Sequence, residues 1–536
     1  MTACLHAGAK HKGEHRVSAP SIRRRSVTAG LLAAALPLPA IAQGTSPGKR
    51  GGDVIVAQQA QPPTLDAQVS NAQASRNITL HIYESLYTRD EAANPKPELA
   101  EGVDIAPDGL TYRFAIRTGV KFHNGKTLTS ADVKASMQRY ARLGDSRDVL
   151  KPVAAYETPD SKTLVMKLAS VAPGLIDAIS SPRAPFVIMP EEECGKPLGQ
   201  PALIGTGPYS FVEYKPDSHV KLVRFDGYTP NTAFSQRDGF TGRKTAYFDS
   251  ATFRFMPEGG ARTAGLQTGE IHVLESLDVP AAKRLKDDPH IHSFTMMPWA
   301  FLTLEMNTNW GLTSNLDFRR AVQSALDLEE IMAIASDGLY RMDPAWQYPG
   351  TRYYPGMAGL DAYTRQDQAK AKKLLQAAGY KGEELIIVAD NSFKPHMDTG
   401  TIASQQLRAV GVNVKLNVTD WPTSMATRSK PEGWNLWPDM MGMEPYEGPY
   451  NVLGFFGGKQ TVQIKQDPVI EQCNADLASK LKLEDRVAAV ATFQARMYDQ
   501  AIAVKVGDLG IIQATRSNVV NYAPYRIPRM WDCWFA

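Results

Sequence analysis

The residues best suited to chemistry gather late in the 536-residue chain, between Asn391 and Tyr450. Lys394 and His396 follow Asn391, Asp420 and Trp421 follow an alternating apolar run, and Trp434, Trp437, Glu444, Tyr446, Glu447 and Tyr450 crowd the stretch beyond. This mixture suits non-covalent capture of a small solute. A lysine meets an anionic end, glutamates meet a cationic end, and indole or phenol rings stack on a quaternary amine or a flat apolar group. Each element also has a plainer reading: Lys394 as a solvated surface lysine, Trp421 as core packing, and the aromatic stretch as a packed Pro/Gly-rich loop. Covalent chemistry has less to work with. Gly44-Thr45-Ser46-Pro47-Gly48 has the G-x-S-x-G form of a nucleophile elbow, but an elbow needs a strand before it and a helix after it, and here glycines follow. A triad also needs His and Asp within reach, and three of the ten histidines (His6, His11, His15) lie in the first 42 residues. His290 and His292 offer two imidazoles from one strand with no third ligand near in sequence, so no metal is expected there. Gly205 and Gly207 are not followed by Lys-Ser/Thr, and Pro208 removes a backbone donor, so they read as a tight turn and not as a phosphate cradle.

The elements that must position these groups show in the periodicity. After the turn dipeptide Asp108-Gly109, Leu110, Tyr112, Phe114 and Ile116 alternate with polar or small residues, which predicts a half-buried strand. A second turn at Asn124-Gly125 leads to a helix start with Thr129 or Ser130 as N-cap and Asp132 in the first turn; turn and cap roles account for the polar residues here, His123 included. Asp160-Ser161 reads as a hairpin turn. Helices are predicted over 76–86, 367–378 and 402–410, with a strand over 412–418. In the segment 316–327, Phe318, Val322, Ala325 and Leu326 mark the buried face, which leaves Arg319 and Arg320 toward solvent. Helix, glycine and strand in repeated order point to an α/β architecture.

The composition, 43% hydrophobic and 21% charged, is that of a soluble globular protein long enough for two or three domains. The net charge of +3 belongs to the N-terminus, where Lys10, Lys12, Arg16, Arg23, Arg24 and Arg25 face Glu14 alone. The remainder is slightly acidic and gives no reason to expect nucleic acid as a partner. Arg23–Arg25 precede a short apolar run, 27–42, broken by Pro37 and Pro39 and ending Ala40-Ile41-Ala42 before Gln43. This reads as an export signal cleaved near Ala42, by the twin-arginine route or else the general secretory one, and not as a membrane span. Residues 43–52 read as a mobile polar leader. Three cysteines lie beyond the signal; in an oxidising compartment Cys473 and Cys533 are the expected pair and Cys194 the free thiol, with three buried thiols as the alternative.

The segment LAEGVDIAPDGLTYRFAIRTGVKFHNGKTLTSADV, Leu99 to Val133, resembles the signature of the extracytoplasmic solute-binding proteins of family 5, the oligopeptide, dipeptide and nickel receptors of ABC importers. The resemblance continues through Pro62-Pro63-Thr64-Leu65-Asp66, Ile82-Tyr83-Glu84, Gly205-Thr206-Gly207-Pro208-Tyr209 and the segment 316–327. It implies a two-lobed α/β periplasmic-binding-protein fold of the large peptide-receptor type, with an extra subdomain in the first lobe. The implied boundaries are a signal peptide at 1–42, lobe one at 43–82, 205–290 and 503–536, the extra subdomain at 83–204, and lobe two at 291–502. It further implies a periplasmic monomer without cofactor or enzymatic activity. Such a protein captures a peptide or similar zwitterionic or cationic solute between its lobes and delivers it to ABC permease subunits driven by a separate ATPase. A nickel chelate, opine, sugar or quaternary amine is the alternative ligand, and an exported serine hydrolase the alternative from another class. By position, Lys394 stands where relatives hold an arginine for the ligand carboxylate, and Trp421 where they hold a pocket aromatic. Met441-Gly442 matches their Met-Gly-Trp with Met443 in the tryptophan's place, and Tyr446, flanked by Glu444 and Glu447, replaces their amine-binding aspartate. The implied ligand set is therefore Lys394, Trp421, Met443, Glu444, Tyr446 and Glu447.

Overall fold

The computed structural model describes residues 48–536 apart from 358–359, 361–362, 364–365, 442–447 and 458–461, and without the side chains of Pro422 and Asn451. The export signal and Ser46 lie outside the described residues. Among those described, no helix is long and apolar enough to cross a membrane.

The alternation after Asp108 forms the strand Thr111–Ile116, with Tyr112, Phe114 and Ile116 buried and the residues between them more exposed. It pairs with Ala100–Ile105 and Thr163–Leu168, and Val153–Asp160 completes a four-stranded antiparallel sheet. The helix Ser130–Leu143 covers this sheet, and the Thr129 N–H donates to the Asp132 carboxylate at 2.9 Å. Leu99, Phe114, Phe122, Tyr140 and Met166 belong to the subdomain's own core.

The larger sheet has eleven strands among the described residues. One end holds Val414–Thr419, Leu385–Asp390 and Leu436–Met441; the other holds Val273–Leu274, Asp53–Gln58, Ser250–Phe255, His219–Arg224 and Tyr209–Lys215. Two long antiparallel strands, Ile291–Met306 and Ala503–Arg516, stand between these ends and belong to both. Their register breaks between Met296 and Ala300, so the pair bends where the sheet passes from one lobe to the other. Each lobe has its own core: Val54, Phe253 and Met530 in the first, Phe301, Val322 and Phe493 in the second.

The motif residues turn out to be fasteners. Asp66 accepts from Arg139 of the subdomain helix at 3.0 Å, with both side chains buried. Glu84 accepts from Thr206 and from Tyr228, each at 2.9 Å. Gly205 and Gly207 have no left-handed backbone; a Cβ at either would overlap the carbonyls of Ile82 and His81. Close approach of two chain segments, not a tight turn, is therefore what requires glycine here. His123 does more than fill a turn: its Nε2 lies 3.0 Å from the Gly207 carbonyl, and the Gly205 N–H donates to its Nδ1.

Several expectations are corrected. The first helix runs Gln73–Ile82 and not to Leu86, because Tyr83 is already extended. The helix expected at 402–410 begins at Lys394, with Pro395 in its first turn. Arg319 is buried and donates to the carbonyls of Thr313, Ser314 and Gln500; Arg320 alone reaches the surface, pairing with Asp499 at 2.7 Å. Gly51 and Gly52 of the leader are fixed to Tyr247 and Asp249. Cys473 and Cys533 do not pair, because they sit in the cores of different lobes, and Cys194 is a third buried thiol.

Candidate ligand cleft

A cleft of about 1120 Å³ lies between the extra subdomain and lobe two. The subdomain wall includes Asp145, Pro152, Val171, Leu175 and Asp177; the opposite wall includes Trp421, Met425, Arg428, Asp439, Tyr450 and Phe455.

Much of the lobe-two wall comes from one short helix and one strand, with Tyr450 and Phe455 added from the helix Tyr450–Phe456. Asp420 caps the helix Trp421–Arg428 by accepting from the Thr423 N–H at 2.8 Å. Trp421, Met425 and Arg428 stand at i, i+4 and i+7, so they share a face, and all three line the cleft. Beneath Trp421 lie Trp437, with ring centroids 5.7 Å apart, and His396, whose Nδ1 is 2.6 Å from the Asp390 carboxylate. The guanidinium of Arg428 lies over the rings of Trp437 and Phe455 and donates from Nε and Nη2 to Glu305, both at 2.9 Å. Burial pushes the Glu305 carboxyl up to about 8; Arg428 opposes the rise and Asp439 adds to it.

The two walls touch at one end. Asp177 of the helix Leu175–Ile179 is buried and pairs with Arg89 within its own lobe. It also accepts from Arg352 at 3.2 Å and from the Tyr353 hydroxyl at 3.0 Å, both of lobe two. Tyr353 gives its single proton to Asp177, so the Tyr450 hydroxyl, 3.1 Å away, donates to Tyr353. Tyr450 lies against Gly174, where a Cβ would overlap its hydroxyl.

Of the residues expected from sequence, Trp421 lines the cleft. Lys394 does not; its ammonium is held by Asp398 at 2.7 Å, Asp337 at 3.2 Å and the Ile334 carbonyl at 2.7 Å. Met443, Glu444, Tyr446 and Glu447 lie outside the described residues. Trp434 and Trp437 are buried beneath the wall, while Tyr450 reaches the cleft. Sequence reading missed Arg428, Glu305, Asp439 and the Asp177–Tyr353 contact. The helix face was readable: an Asp cap, Pro422 in the first turn and the i, i+4, i+7 spacing were all present. The contact between residues 176 apart had no local signal.

Two lobes joined by a bent strand pair, with a roomy cleft walled from both sides, are the architecture of a solute receptor that binds between its lobes. Residues 94–463 match the family model described as bacterial extracellular solute-binding proteins, family 5 Middle, and the chain belongs to that family. It is 26% identical over 533 residues, 95% of this chain and 98% of the relative, to a protein of Sinorhizobium fredii named "Probable peptide ABC transporter periplasmic-binding protein y4tO". Among solved structures it resembles the ABC transporter substrate-binding protein CtaP of Listeria monocytogenes, at 22% identity and a TM-score of 0.78 over 91% of this chain and 100% of that one. NikA of Brucella suis in complex with Fe(III)-EDTA has a TM-score of 0.79 at 18% identity, over 90% of this chain and 100% of that one.

Proposed function

We propose that this protein is the periplasmic substrate-binding component of an ABC importer, exported with cleavage near Ala42, which takes a peptide or similar zwitterionic or cationic solute into the interlobe cleft. The closed form docks on membrane permease subunits whose energy comes from a separate ATPase. The observation that carries this reading is the cleft itself, with Trp421, Arg428 and Tyr450 facing Leu175 and Asp177 across it. Residues 43–82, 205–290 and 503–536 form lobe one in this reading, 83–204 the extra subdomain and 291–502 lobe two. The ligand set of this reading keeps Met443, Glu444, Tyr446 and Glu447, which fall in sequence between Met441 and Tyr450. The relative named for peptide transport matches over nearly its whole length and favours a peptide. A metal chelate is the second reading, favoured by the fold shared with the chelate-bound NikA structure.

The test is native mass spectrometry of the gently purified protein, followed by calorimetry with the compound it carries. Trp421→Ala should weaken binding by roughly 1–3 kcal/mol through lost aromatic contact. The protein should also be inert toward generic esters and peptides. Unchanged binding in Trp421→Ala, or hydrolysis abolished by Ser46→Ala, would count against the proposal.

A further inference from the structure

The long strand Ala503–Arg516 changes lobes between Leu509 and Ile512. Leu509 packs in the core of lobe two, whereas Ile512 packs with Leu274, Leu277, Ala281 and Leu285 of lobe one. One edge of the strand changes partner at the same place. Arg341 and Tyr340 pair with Asp508 and Leu509, and the Gly510 N–H donates to the Leu339 carbonyl at 3.3 Å. Two residues on, the Ile512 carbonyl accepts from the Leu277 N–H at 2.8 Å, and Ala514 pairs with Leu274. On the other edge, Met296 pairs with Ile511 and Ala300 with Leu509, so the register break falls opposite Gly510. A Cβ at Gly510 would overlap both Met297 and Leu339. The sheet therefore turns about Gly510 and Ile511.

A further chain segment crosses beside this pivot. Residues 336–339 leave the helix Leu328–Ala335 of lobe two and reverse through Asp337 and Gly338, both left-handed, at φ 53° and 85°. The Leu339 side chain then packs on the lobe-one cluster of Leu277, Ala281 and Ile512. Lys283, on the lobe-one helix Val279–Leu285, donates to the Asp337 carbonyl at 2.8 Å. The Asp337 carboxylate turns back to Lys394 at 3.2 Å, and Lys394 is itself held by Asp398 and by the Ile334 carbonyl, each at 2.7 Å. We propose that residues 336–339 are a strap that limits how far the lobes swing about Gly510 and Ile511, with Lys394 as its anchor in lobe two. Swinging the lobes apart draws Leu339 off its cluster and Asp337 away from Lys283, which exposes apolar surface and breaks a hydrogen bond. So close to the pivot the displacement is small, and the strap resists bending without locking it.

The strap concerns the hinge alone, and only its effect on affinity rests on the cleft being the ligand site. The test is small-angle scattering of the ligand-free protein, with calorimetry on the compound it carries when gently purified. In Leu339→Ala with Lys283→Met, the ligand-free radius of gyration should rise and the liganded radius should match the parent's. Affinity should fall roughly 3- to 10-fold, because a wider-swinging molecule is less often near the closed arrangement. Lys394→Gln removes the anchor at a half-exposed side chain; it should move the ligand-free radius the same way, by less, and keep the parent's melting temperature. A parental ligand-free radius in both variants overturns the strap, whatever the affinity does. Should the double variant melt early, Lys394→Gln decides alone, and a parental radius in it overturns the strap. Failure of the cleft reading looks different: the ligand-free radius rises, which supports the strap, while affinity for the carried compound stays at the parent's value.

Discussion

At the scale of single residues, burial decides which charges are available. Of Lys394 and Arg428, the resemblance to relatives favoured the lysine. The structure ties the lysine to two aspartates and the arginine to Glu305. Glu305 shows the cost of holding that arginine. Its folded-state pKa of about 8 lies above the ordinary 4.5, so between those values the native protein binds the proton more tightly than the unfolded chain. Stability must therefore fall as pH rises through that window. Burial also pushes the carboxyls of Glu98 and Asp532 up, to about 7 and about 6, and they act with the same sign. Urea unfolding of the wild type should show lower stability at pH 8 than at pH 5.5. Glu305→Gln should flatten the part of that decline between pH 7 and 8, and the idea fails if the two slopes coincide.

At the scale of elements, local pattern was a good guide where one face is buried and the other wet. The strand Thr111–Ile116 and the Thr129–Asp132 cap were legible because period two and cap chemistry are local properties. The helix Lys394–Ala409 was expected only from Ile402 on, and its start at Lys394 puts Pro395 in the first turn. Motif function was illegible for a different reason. The glycines of Gly205-Thr206-Gly207 look like a turn, yet they let one backbone press against Ile82, with Thr206 bound to Glu84 behind them. Gly207→Ala should therefore destabilise the protein by roughly 1–3 kcal/mol, the usual cost of overpacking, without shifting ligand affinity in the fraction that folds. A thermal melt unchanged from wild type would show that the segment has room to yield.

At the scale of the whole molecule, the contact across the cleft is the feature no local reading could supply. Opening the cleft would release Arg352 and Tyr353 from Asp177 but leave Asp177 its Arg89 partner, so no buried carboxylate is stranded. That makes the contact cheap to break and suited to a receptor that must both capture and release. The double variant Arg352→Gln with Tyr353→Phe removes the bonds that cross, together with the Tyr450–Tyr353 hydrogen bond inside lobe two. Its melting temperature should stay near wild type, its ligand affinity should fall by roughly tenfold, and small-angle scattering of the liganded form should show a larger radius. Wild-type affinity and radius in that variant would remove the contact from the closing mechanism.

The buried cysteines turn the protein into its own unfolding reporter. Cys473 sits in one lobe's core and Cys194 and Cys533 in the other's, with burial pushing the thiols up to about 11, 11 and 12 respectively, far from the reactive thiolate. Each therefore stays dark to an alkylating reagent until its own lobe opens, and a pulse of reagent reads out which lobe has opened and when. Two strands run unbroken through both lobes, so unfolding one should pull apart the sheet of the other. Pulse-labelling in mild denaturant should thus mark Cys473 and Cys533 at a common rate. Early marking of Cys473 alone would instead reveal a molecule whose second lobe comes undone by itself while the first stays folded.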